Sequence, residues 1–560
     1  MSAIQATTLR RIGWVLFIAA TLYLCYFSNL SVVGFVGPDE PRYAWIARDM
    51  AESGDWVTPR LYGRPWFEKP PLLYWGGMIF FKLMPGQPEI AARLPSAICA
   101  LLATLALAWL AWRSYGEECA RWLLLLLPTS FAMIGFSHAC ATDMPFAGML
   151  TVSLACAAVI LGLVPPVEDT PVLPRTPWLA LLLFGFFLGL AVLAKGPAAL
   201  VLMGGAVFFW ALFTKRWSGA FRLLHPAAIL AFCGTALPWY LLCAHRNPDF
   251  FRIFIIEHNF KRYLTPEFQH IQPFWYYAPV LLLAFFPWTA LFATVALYGA
   301  RGLLRVRETS AGICLVLCWV LFVVVFFSVS KSKLPGYVLP AIPTFALSVA
   351  RAVAKPKFVP PQLTASALLG TGLAILAGSL LIGSHPDTFF HRPVEPRVLA
   401  ILLLPLGTAA VLAGLVPLVA ASRRSNTLMA LSSSIVALSI AFSGGIVRHH
   451  NLDAVSARGL AAVLKSDIPS GDQLRVFGIR RGEHYALNFY LHREIPRWED
   501  QPIREGYVLT EHKDCNSLNT EDFCKDLWRM RDFVTPGPSA LLRIEPRDSL
   551  GGIRSRQEPE

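Results

Sequence analysis

The chain has 560 residues, of which 55% are hydrophobic and only 15% are charged, and its formal net charge is +13. Soluble globular domains carry about 25% charged residues, so this composition excludes a soluble globular protein and predicts one that crosses a membrane many times. The lysines and arginines gather in short loops between apolar runs. The positive charge is therefore a signal of membrane topology, and it gives no reason to expect a nucleic-acid partner.

About thirteen apolar runs approach the roughly 20 residues that a helix needs to cross a bilayer. They lie near 12–33, 90–112, 120–136, 143–162, 178–194, 197–213, 224–244, 275–298, 311–330, 337–353, 364–383, 398–420 and 428–446. The first run has no small-residue cleavage site at its end, so we expect an uncleaved helix. With the N-terminus inside, every inner loop carries lysine or arginine, as cytoplasmic loops do, and the polar C-terminal tail lies outside.

The first loop on the outer side, residues 34–89, is too long for a simple connection between two helices. Within it, residues 42–52 and 72–83 have the pattern of amphipathic helices that lie at the membrane interface. Charged groups beside a membrane span are costly unless they have partners or a function. We therefore expect residues 34–89, called the outer segment below, to carry chemistry.

Asp39 and Glu40 stand near the start of the outer segment, and Arg42 and Tyr43 follow them as candidates for substrate binding. A carboxylate here could steer a polar reactant or act as a general acid or base. The alternative is an interfacial acid pair that is solvated or paired with Arg42.

Glu68 and Lys69 stand before Pro70 and Pro71 in the same segment. Two prolines exclude a helix and hold these charged side chains on a rigid extended stretch. Lysine suits an anionic phosphate as a compact point charge. The alternative is a simple ion pair between the two side chains.

Later loops on the same side add further candidates. Asp143 begins a span, where a carboxylate is also stabilised by the helix dipole and by capping. Lys195 lies between two apolar runs with no acid near it in the sequence, so it either binds an anion or extends to the interface as a solvated cation. Lys333 and Tyr337 lie in a short loop after another span and add further donors on the outer face.

An aromatic-rich loop contains Glu257, His258 and Arg262. His258 together with Glu68 could ligate zinc, since imidazole and carboxylate groups are both zinc ligands. We predict at most a structural metal here, with no cofactor required for the chemistry.

After residue 447 the apolar runs stop, so we expect a membrane domain at 1–447 and a small soluble α/β domain at 448–560. The predicted strands of the tail are 474–479, 507–509 and 540–544, and its predicted helices are 454–465 and 521–530. Cys515 and Cys524 lie in this tail, where an oxidising exterior would permit a disulfide that staples the fold.

The ionisable candidates come from loops far apart in the sequence, yet the inner-loop charges place all of them on the outer face. Residues with unrelated roles would be scattered over both faces, so we predict one site. Several cations with carboxylates at the bilayer edge suit a phosphorylated lipid whose tail lies between helices. The sequence has no phosphate-binding glycine loop and no dinucleotide fingerprint, which argues against a soluble nucleotide-sugar donor.

These motifs resemble those of the GT-C superfamily of membrane glycosyltransferases, which use polyprenyl-phosphate sugars. The matching features are the acid pair after the first span, Glu-Lys-Pro-Pro at 68–71, Asp143 before the fourth span and Lys-Leu-Pro-Gly-Tyr at 333–337. Residues 257–262 and the aromatic run at 273–277 resemble more closely the bacterial lipid A aminoarabinosyltransferases. The resemblance covers the whole chain and implies a helical, polytopic GT-C fold.

The resemblance also implies roles for individual residues. Asp39 would be the carboxylate at the catalytic centre, with Asp143 assisting, while Glu68 and His258 would be metal ligands. The phosphate of the donor lipid would be held by Lys69, Lys195, Arg262 and Tyr337.

The reaction implied by the resemblance moves 4-amino-4-deoxy-L-arabinose from undecaprenyl phosphate to lipid A phosphates on the periplasmic face of the bacterial inner membrane. That masks negative charge and weakens cationic peptides such as polymyxin. A phosphate acceptor has a second pKa of about 6 and needs little help from a base. We therefore expect Asp39 to bind the sugar ammonium or stabilise positive charge at the anomeric carbon, in a single inverting displacement.

Other classes of function stay open at this point. Within the same superfamily the acceptor could be a protein or another glycan, and an acceptor hydroxyl would make Asp39 a base. A transporter would place charged residues near the bilayer midplane, where this chain has almost none. A receptor would bind its ligand through the C-terminal tail alone.

Overall fold

The computed structural model describes residues 3–164, 176–261, 271–303, 310–354, 361–384, 456–468, 473–503, 506–511, 524–529 and 539–544, with single positions between 404 and 415. Two predicted spans, 398–420 and 428–446, lie largely or wholly outside these residues. The number of thirteen spans and the domain boundary at residue 447 therefore stay predictions.

The membrane part is helical, and each predicted span that is described overlaps one or two helices. In chain order they are α1 Ala3–Tyr26, α2 Asp39–Ser53, α3 Leu72–Leu83, α4 Pro88–Tyr115, α5 Glu117–Leu126, α6 Phe131–Ser137, α7 Asp143–Ile160, α8 Trp178–Lys195, α9 Ala198–Thr214, α10 Trp217–Phe221, α11 Pro226–Arg246, α12 Tyr277–Ala284, α13 Thr289–Leu303, α14 Ala311–Val329, α15 Ala341–Ala354 and α16 Pro361–Ser384. Short 3₁₀ turns at Arg222–Leu224, Phe274–Tyr276 and Pro335–Val338 and a π-helical stretch at Arg252–Lys261 connect some of them.

Five of the described helices (α4, α7, α8, α11 and α14) are long and apolar enough to cross a membrane, judged by length and composition. The number is six if α5 and α6, which meet at a bend of 63°, are one broken span. The chain is thus a multi-pass membrane protein.

Two predicted spans are interrupted. The run at 120–136 forms α5 and α6, with Pro128 between them, and the run at 275–298 forms α12 and α13, with Pro287 between them. Proline lacks the backbone N–H that the interior of a helix uses, which favours a break at these two positions. It does not enforce one, because α4 and α11 continue through Pro95 and Pro238.

Helix α7 lies at the centre of the bundle and is buried along most of its length, packed between α4 and α8. Helix α8 also crosses α11 at close range. Gly185 permits this crossing, since a methyl group at that position would overlap the backbone carbonyl of Ala228. The crossing holds α8 in place, and α8 ends at Lys195.

The outer segment contains helices at both predicted places, α2 and α3, and a hairpin of the two-residue strands β1 Arg60–Leu61 and β2 Arg64–Pro65. The position of the two helices at the membrane interface stays a prediction. Helix α2 begins with two acids, which suits the positive end of a helix dipole, and ends at Gly54 in a left-handed conformation. Helix α3 begins directly after Pro71. Its apolar face packs on α2 and α4.

The C-terminal part contains α17 Arg458–Asp467, β3 Leu474–Phe477, α18 Arg481–Leu491, β4 Gly506–Glu511, β5 Cys524–Arg529 and β6 Ser539–Ile544. The sheet order is β3-β4-β6-β5, with β3 parallel to β4 and the other pairs antiparallel. The three predicted strands are confirmed. Cys515 lies outside the described residues, so the disulfide with Cys524 stays a prediction.

The predicted helix at 521–530 is wrong, because Cys524–Arg529 is a strand paired with β6. Its mixed sequence has no strict alternation, and the pairing with β6, formed only in the folded domain, decides the conformation. Helix α18 was not among the predicted elements. It lies between the predicted strands at 474–479 and 507–509.

The C-terminal part is docked on the outer segment and the start of α4. Tyr490 Oη donates to Glu89 Oε1 at 2.8 Å and accepts from the backbone N–H of Phe35 at 2.9 Å. Arg458 Nη1 donates to the same Glu89 oxygen at 3.2 Å and to the backbone carbonyl of Ser31 at 3.0 Å. Buried Glu89 therefore ties the two parts together.

Glu89→Ala should lower the free energy of unfolding by about 1–3 kcal/mol, because it leaves Arg458 and Tyr490 without their shared acceptor. Thermal unfolding of the purified protein in detergent measures this change. Glu52→Ala is the matched control, since Glu52 pairs with His492 at 3.4 Å with both side chains largely exposed. Such a pair contributes about 0–1 kcal/mol. Equal effects of the two substitutions would contradict the role of Glu89.

Candidate active site

The charged motifs of the outer segment meet at the start of α2. Arg42 Nη2 pairs with the carboxylate of Asp39, and Arg42 Nη1 lies 3.1 Å from Glu68 Oε2. Lys69 Nζ lies 3.6 Å from Glu68 Oε1. Asp39, Arg42, Glu68 and Lys69 are called the first cluster below.

Exposure divides the first cluster. The side chains of Arg42, Glu68 and Lys69 are only 5%, 11% and 12% exposed, whereas that of Asp39 is 51% exposed. Burial by itself lowers the pKa of Arg42, but the carboxylates of Glu68 and Asp39 outweigh it and raise that pKa. Arg42 is therefore a fixed positive charge, and Asp39 is the carboxylate of the cluster that a ligand can reach.

Aromatic rings enclose the Arg42 guanidinium. Its central carbon lies 5.5 Å from the ring centre of Tyr43, 5.3 Å from that of Trp66 and 5.6 Å from that of Tyr485. Tyr74 lies fully buried beside them, and burial, followed by the charge of Glu68, raises its pKa. Trp66, Tyr74 and Tyr485 were not predicted. Tyr485 lies more than 400 residues away in the sequence, and no local pattern indicates its place here.

Glu40 has a different surrounding from its neighbour Asp39. It accepts from Arg93 Nε at 3.0 Å and Nη2 at 2.8 Å, from the Cys140 backbone N–H at 2.8 Å and from that of Val36 at 3.0 Å. Arg93 also donates to three backbone carbonyls between residues 30 and 34. Glu40 is thus a structural anchor. One feature of the sequence could have indicated this structural role: Arg93 is a charged residue inside a predicted span and therefore needs an acidic partner.

A second cluster forms at the ends of three membrane elements. Lys195 Nζ, at the end of α8, lies 2.5 Å from Asp143 Oδ1, at the start of α7. The same ammonium lies 4.6 Å from the ring centre of Tyr337 in the 3₁₀ turn after α14. Gly336 leaves room for this pair, since a methyl group there would overlap the Asp143 carboxylate and force it to move. Asp143, Lys195 and Tyr337 are the second cluster.

The turn before α7 connects the two clusters. The Cys140 backbone N–H donates to Glu40, which is adjacent to Asp39, and Asp143 follows three residues later. The turn thus links the segments that carry the two clusters, and the sequence prediction that all these loops share one site stays a prediction. The functional roles of the individual residues stay predictions.

Lys333 lies outside both clusters. Its ammonium is buried and donates to the backbone carbonyls of Ser330 at 2.6 Å and Gln272 at 3.0 Å. Burial, with a smaller effect of Lys331, lowers its pKa. These contacts tie the loop after α14 to the backbone at Gln272, and the predicted role of Lys333 in substrate binding stays a prediction.

The zinc prediction for Glu68 and His258 stays a prediction. The side chain of His258 lies outside the described residues, as does all of Arg262. Within the described part, the two oxygens of Glu68 face Arg42 and Lys69. A divalent ion at Glu68 would lie beside these two cations, and we derive no chemical step from a metal.

Three comparisons bear on the function of this site. Residues 12–254 match the family model of dolichyl-phosphate-mannose-protein mannosyltransferases. A protein of Edwardsiella ictaluri named undecaprenyl phosphate-alpha-4-amino-4-deoxy-L-arabinose arabinosyl transferase is 32% identical over 344 residues, which are 60% of this chain and 59% of that protein. The protein of the same name in Erwinia tasmaniensis is 27% identical over 519 residues, 87% of this chain and 90% of that protein.

The chain thus spans less than two thirds of the Edwardsiella relative. In structure it is similar to ArnT from Cupriavidus metallidurans in a crystal bound to undecaprenyl phosphate, with a TM-score of 0.78, 22% identity and coverage of 95% of this chain and 98% of that one. At this identity the likeness establishes the fold, and the predicted fold class is confirmed.

Proposed function

We propose that this chain, a member of the GT-C superfamily of membrane glycosyltransferases, transfers 4-amino-4-deoxy-L-arabinose from undecaprenyl phosphate to lipid A phosphates. The reaction would take place on the periplasmic side of a bacterial inner membrane. The match to the family model, the names of the relatives and the shared fold support the proposal. The observation that carries it is the presence of two carboxylate–cation clusters, one at the start of α2 and one at the ends of α7 and α8. The hydrogen bond from Cys140 to Glu40 links the chain segments that hold them.

The donor phosphate is the first ligand to place. Lys195 and Tyr337 lie at helix ends. A lipid whose tail lies between the helices would place its headgroup there. The ammonium of Lys195 has three N–H donors and can bind a phosphate oxygen while it keeps Asp143. Lys69 would add a second cation. Arg262 would also bind the donor phosphate, and the resemblance of its sequence motif is the only support for this role.

The chemical step is a single displacement. An oxygen of the acceptor phosphate forms a bond to the anomeric carbon of the sugar, and the bond from that carbon to the donor phosphate breaks with inversion. The leaving group is undecaprenyl phosphate, whose charge the lysines stabilise. No proton must be removed from the acceptor, because a phosphate monoester is already largely ionised at neutral pH.

Asp39 would stabilise the positive charge that develops on the sugar, or hold its ammonium group. It is the exposed carboxylate of the first cluster, and its partner Arg42 also forms an ion pair with Glu68. Arg42 can therefore shift towards Glu68 when a cationic sugar approaches Asp39. The product lipid A carries less negative charge, which would weaken the binding of cationic peptides such as polymyxin.

A protein acceptor is the second candidate, because the family model matched by residues 12–254 is that of protein mannosyltransferases. An acceptor hydroxyl would have to lose its proton, and Asp39 would then act as a base. Comparing lipid A with a serine- and threonine-containing peptide as acceptors for the same donor separates the two candidates.

Mass spectrometry of lipid A from cells with and without the chain tests the proposal. The expected result is aminoarabinose on lipid A phosphates only when the chain is present. Unmodified lipid A in both strains, with the donor lipid present, would contradict it.

Gly336→Ala should lower the transfer rate at least about tenfold, because the added methyl group displaces Asp143 from Lys195. The control is Gly204→Ala in α9, where an added methyl group meets nothing within 4 Å. Initial rates of both variants at equal folded protein measure the effect. A full rate for Gly336→Ala would show that the geometry of Asp143 does not matter.

A further inference from the structure

The C-terminal domain reaches the first cluster through the start of α18. A methyl group at Gly482 would lie 2.9 Å from the carbonyl carbon of Gly37, so this turn rests directly on the backbone before Asp39. Arg481 and Tyr485, one helical turn apart, project from the same place. Arg481 Nε donates to Tyr485 Oη at 3.4 Å.

Two guanidinium groups share the ring of Tyr485. The central carbon of Arg481 lies 5.5 Å from the ring centre and that of Arg42 lies 5.6 Å from it, so the two groups are at most about 11 Å apart. They differ in exposure, since Arg42 is buried and Arg481 is exposed. Arg481 is therefore a solvent-facing cation at the edge of the cluster, supplied by the soluble domain.

The charges of the two clusters show why a further cation is needed. The first cluster contains two carboxylates and two cations, and the second contains one of each that pair together. A reaction between a phosphate donor and a phosphate acceptor brings two anions to one place, and their repulsion must be offset by further positive charge. Among the described residues, no carboxylate forms an ion pair with Arg481.

We propose that Arg481 binds the phosphate of the acceptor and that Tyr485 separates it from Arg42. This inference rests on the proposed function. The donor phosphate meets groups on membrane helices, whereas Arg481 belongs to the domain that lies over the outer segment. Arginine suits this task because its planar guanidinium binds a phosphate through two parallel hydrogen bonds.

The test varies donor and acceptor separately, with the full chain in phosphatidylcholine nanodiscs, undecaprenyl-phosphate aminoarabinose as donor and lipid A as acceptor. Arg481→Ala should raise the KM for lipid A about tenfold and leave the KM for the donor within about twofold. Arg481→Lys should recover part of the loss. The control is Arg475→Ala on β3, where Nε donates to the Gln501 carbonyl at 2.8 Å, and it should change neither constant.

An unchanged KM for lipid A in Arg481→Ala, with active wild-type protein, would overturn this inference alone. A raised KM for the donor would do the same. Wild-type protein that transfers nothing to lipid A would overturn the proposed function and this inference with it. An effect seen only when phosphatidylglycerol is added to the nanodiscs would assign Arg481 to a bulk lipid headgroup and would also overturn the proposal.

Discussion

Asp39→Asn should lower the rate of sugar transfer by about a hundredfold or more, with little change in the unfolding temperature. The substitution keeps the shape and removes the one exposed negative charge of the first cluster, and loss of a single electrostatic contact to a transition state typically has an effect of this size. Stability should change little because Arg42 keeps its contact with buried Glu68. Initial rates and thermal unfolding of the same preparation measure both.

Glu52→Gln is the matched control for Asp39→Asn. Glu52 lies on the same helix α2 and is about equally exposed, but it faces Arg48 and His492 instead of the first cluster. Its substitution should leave the rate within about twofold, as surface changes away from a site usually do. A fully active Asp39→Asn variant would remove Asp39 from the mechanism.

Glu40→Gln should have the opposite profile, with a loss of about 3–5 kcal/mol in the free energy of unfolding. Arg93 is buried, and without the Glu40 charge it would keep its own charge opposed only by backbone carbonyls. The amide nitrogen would also present a donor to either the Cys140 or the Val36 N–H group, each of which needs an acceptor, while the amide oxygen could accept from the other. Denaturant or thermal unfolding and the yield of folded protein measure the loss.

A double variant tests whether the loss of stability comes from the uncompensated charge of Arg93 or from any change at position 40. Glu40→Gln combined with Arg93→Met removes both charges and should be less destabilised than Glu40→Gln alone, since no uncompensated buried charge remains. If Glu40→Gln were instead stable and inactive, the roles of the two neighbouring acids would be reversed.

The membrane helices were predictable from the sequence, and the sequence also predicts that Asp39, Glu68, Lys69, Asp143 and Lys195 lie on one face. Apolar length marks the helices, and the side of each loop follows from the charge of the inner loops. The outer helices α2 and α3 were predictable for a related reason, because their apolar residues recur with the helical period.

The pairing of these residues was predictable only in part. The pairs of Asp39 with Arg42 and of Glu68 with Lys69 were the alternatives that the sequence offered, and both are present, whereas the other contacts were not predicted. The sequence offers Asp39 and Glu40 as equivalent acids, and only the position of Arg93 in the folded bundle makes Glu40 structural. Lys195 has no acid near it in the sequence, and its partner Asp143 is 52 residues away. The contacts of Tyr485 and the strand at Cys524–Arg529 likewise depend on packing between distant parts of the chain.

The most direct test of the central claim is transfer by purified protein in a defined mixture of undecaprenyl-phosphate aminoarabinose and lipid A, followed by mass spectrometry of both lipids. The account predicts aminoarabinose on lipid A phosphate, an equal amount of released undecaprenyl phosphate, and the loss of both in Asp39→Asn and Lys69→Ala. Unmodified lipid A with wild-type protein, or full transfer by the Lys69→Ala variant, would contradict it.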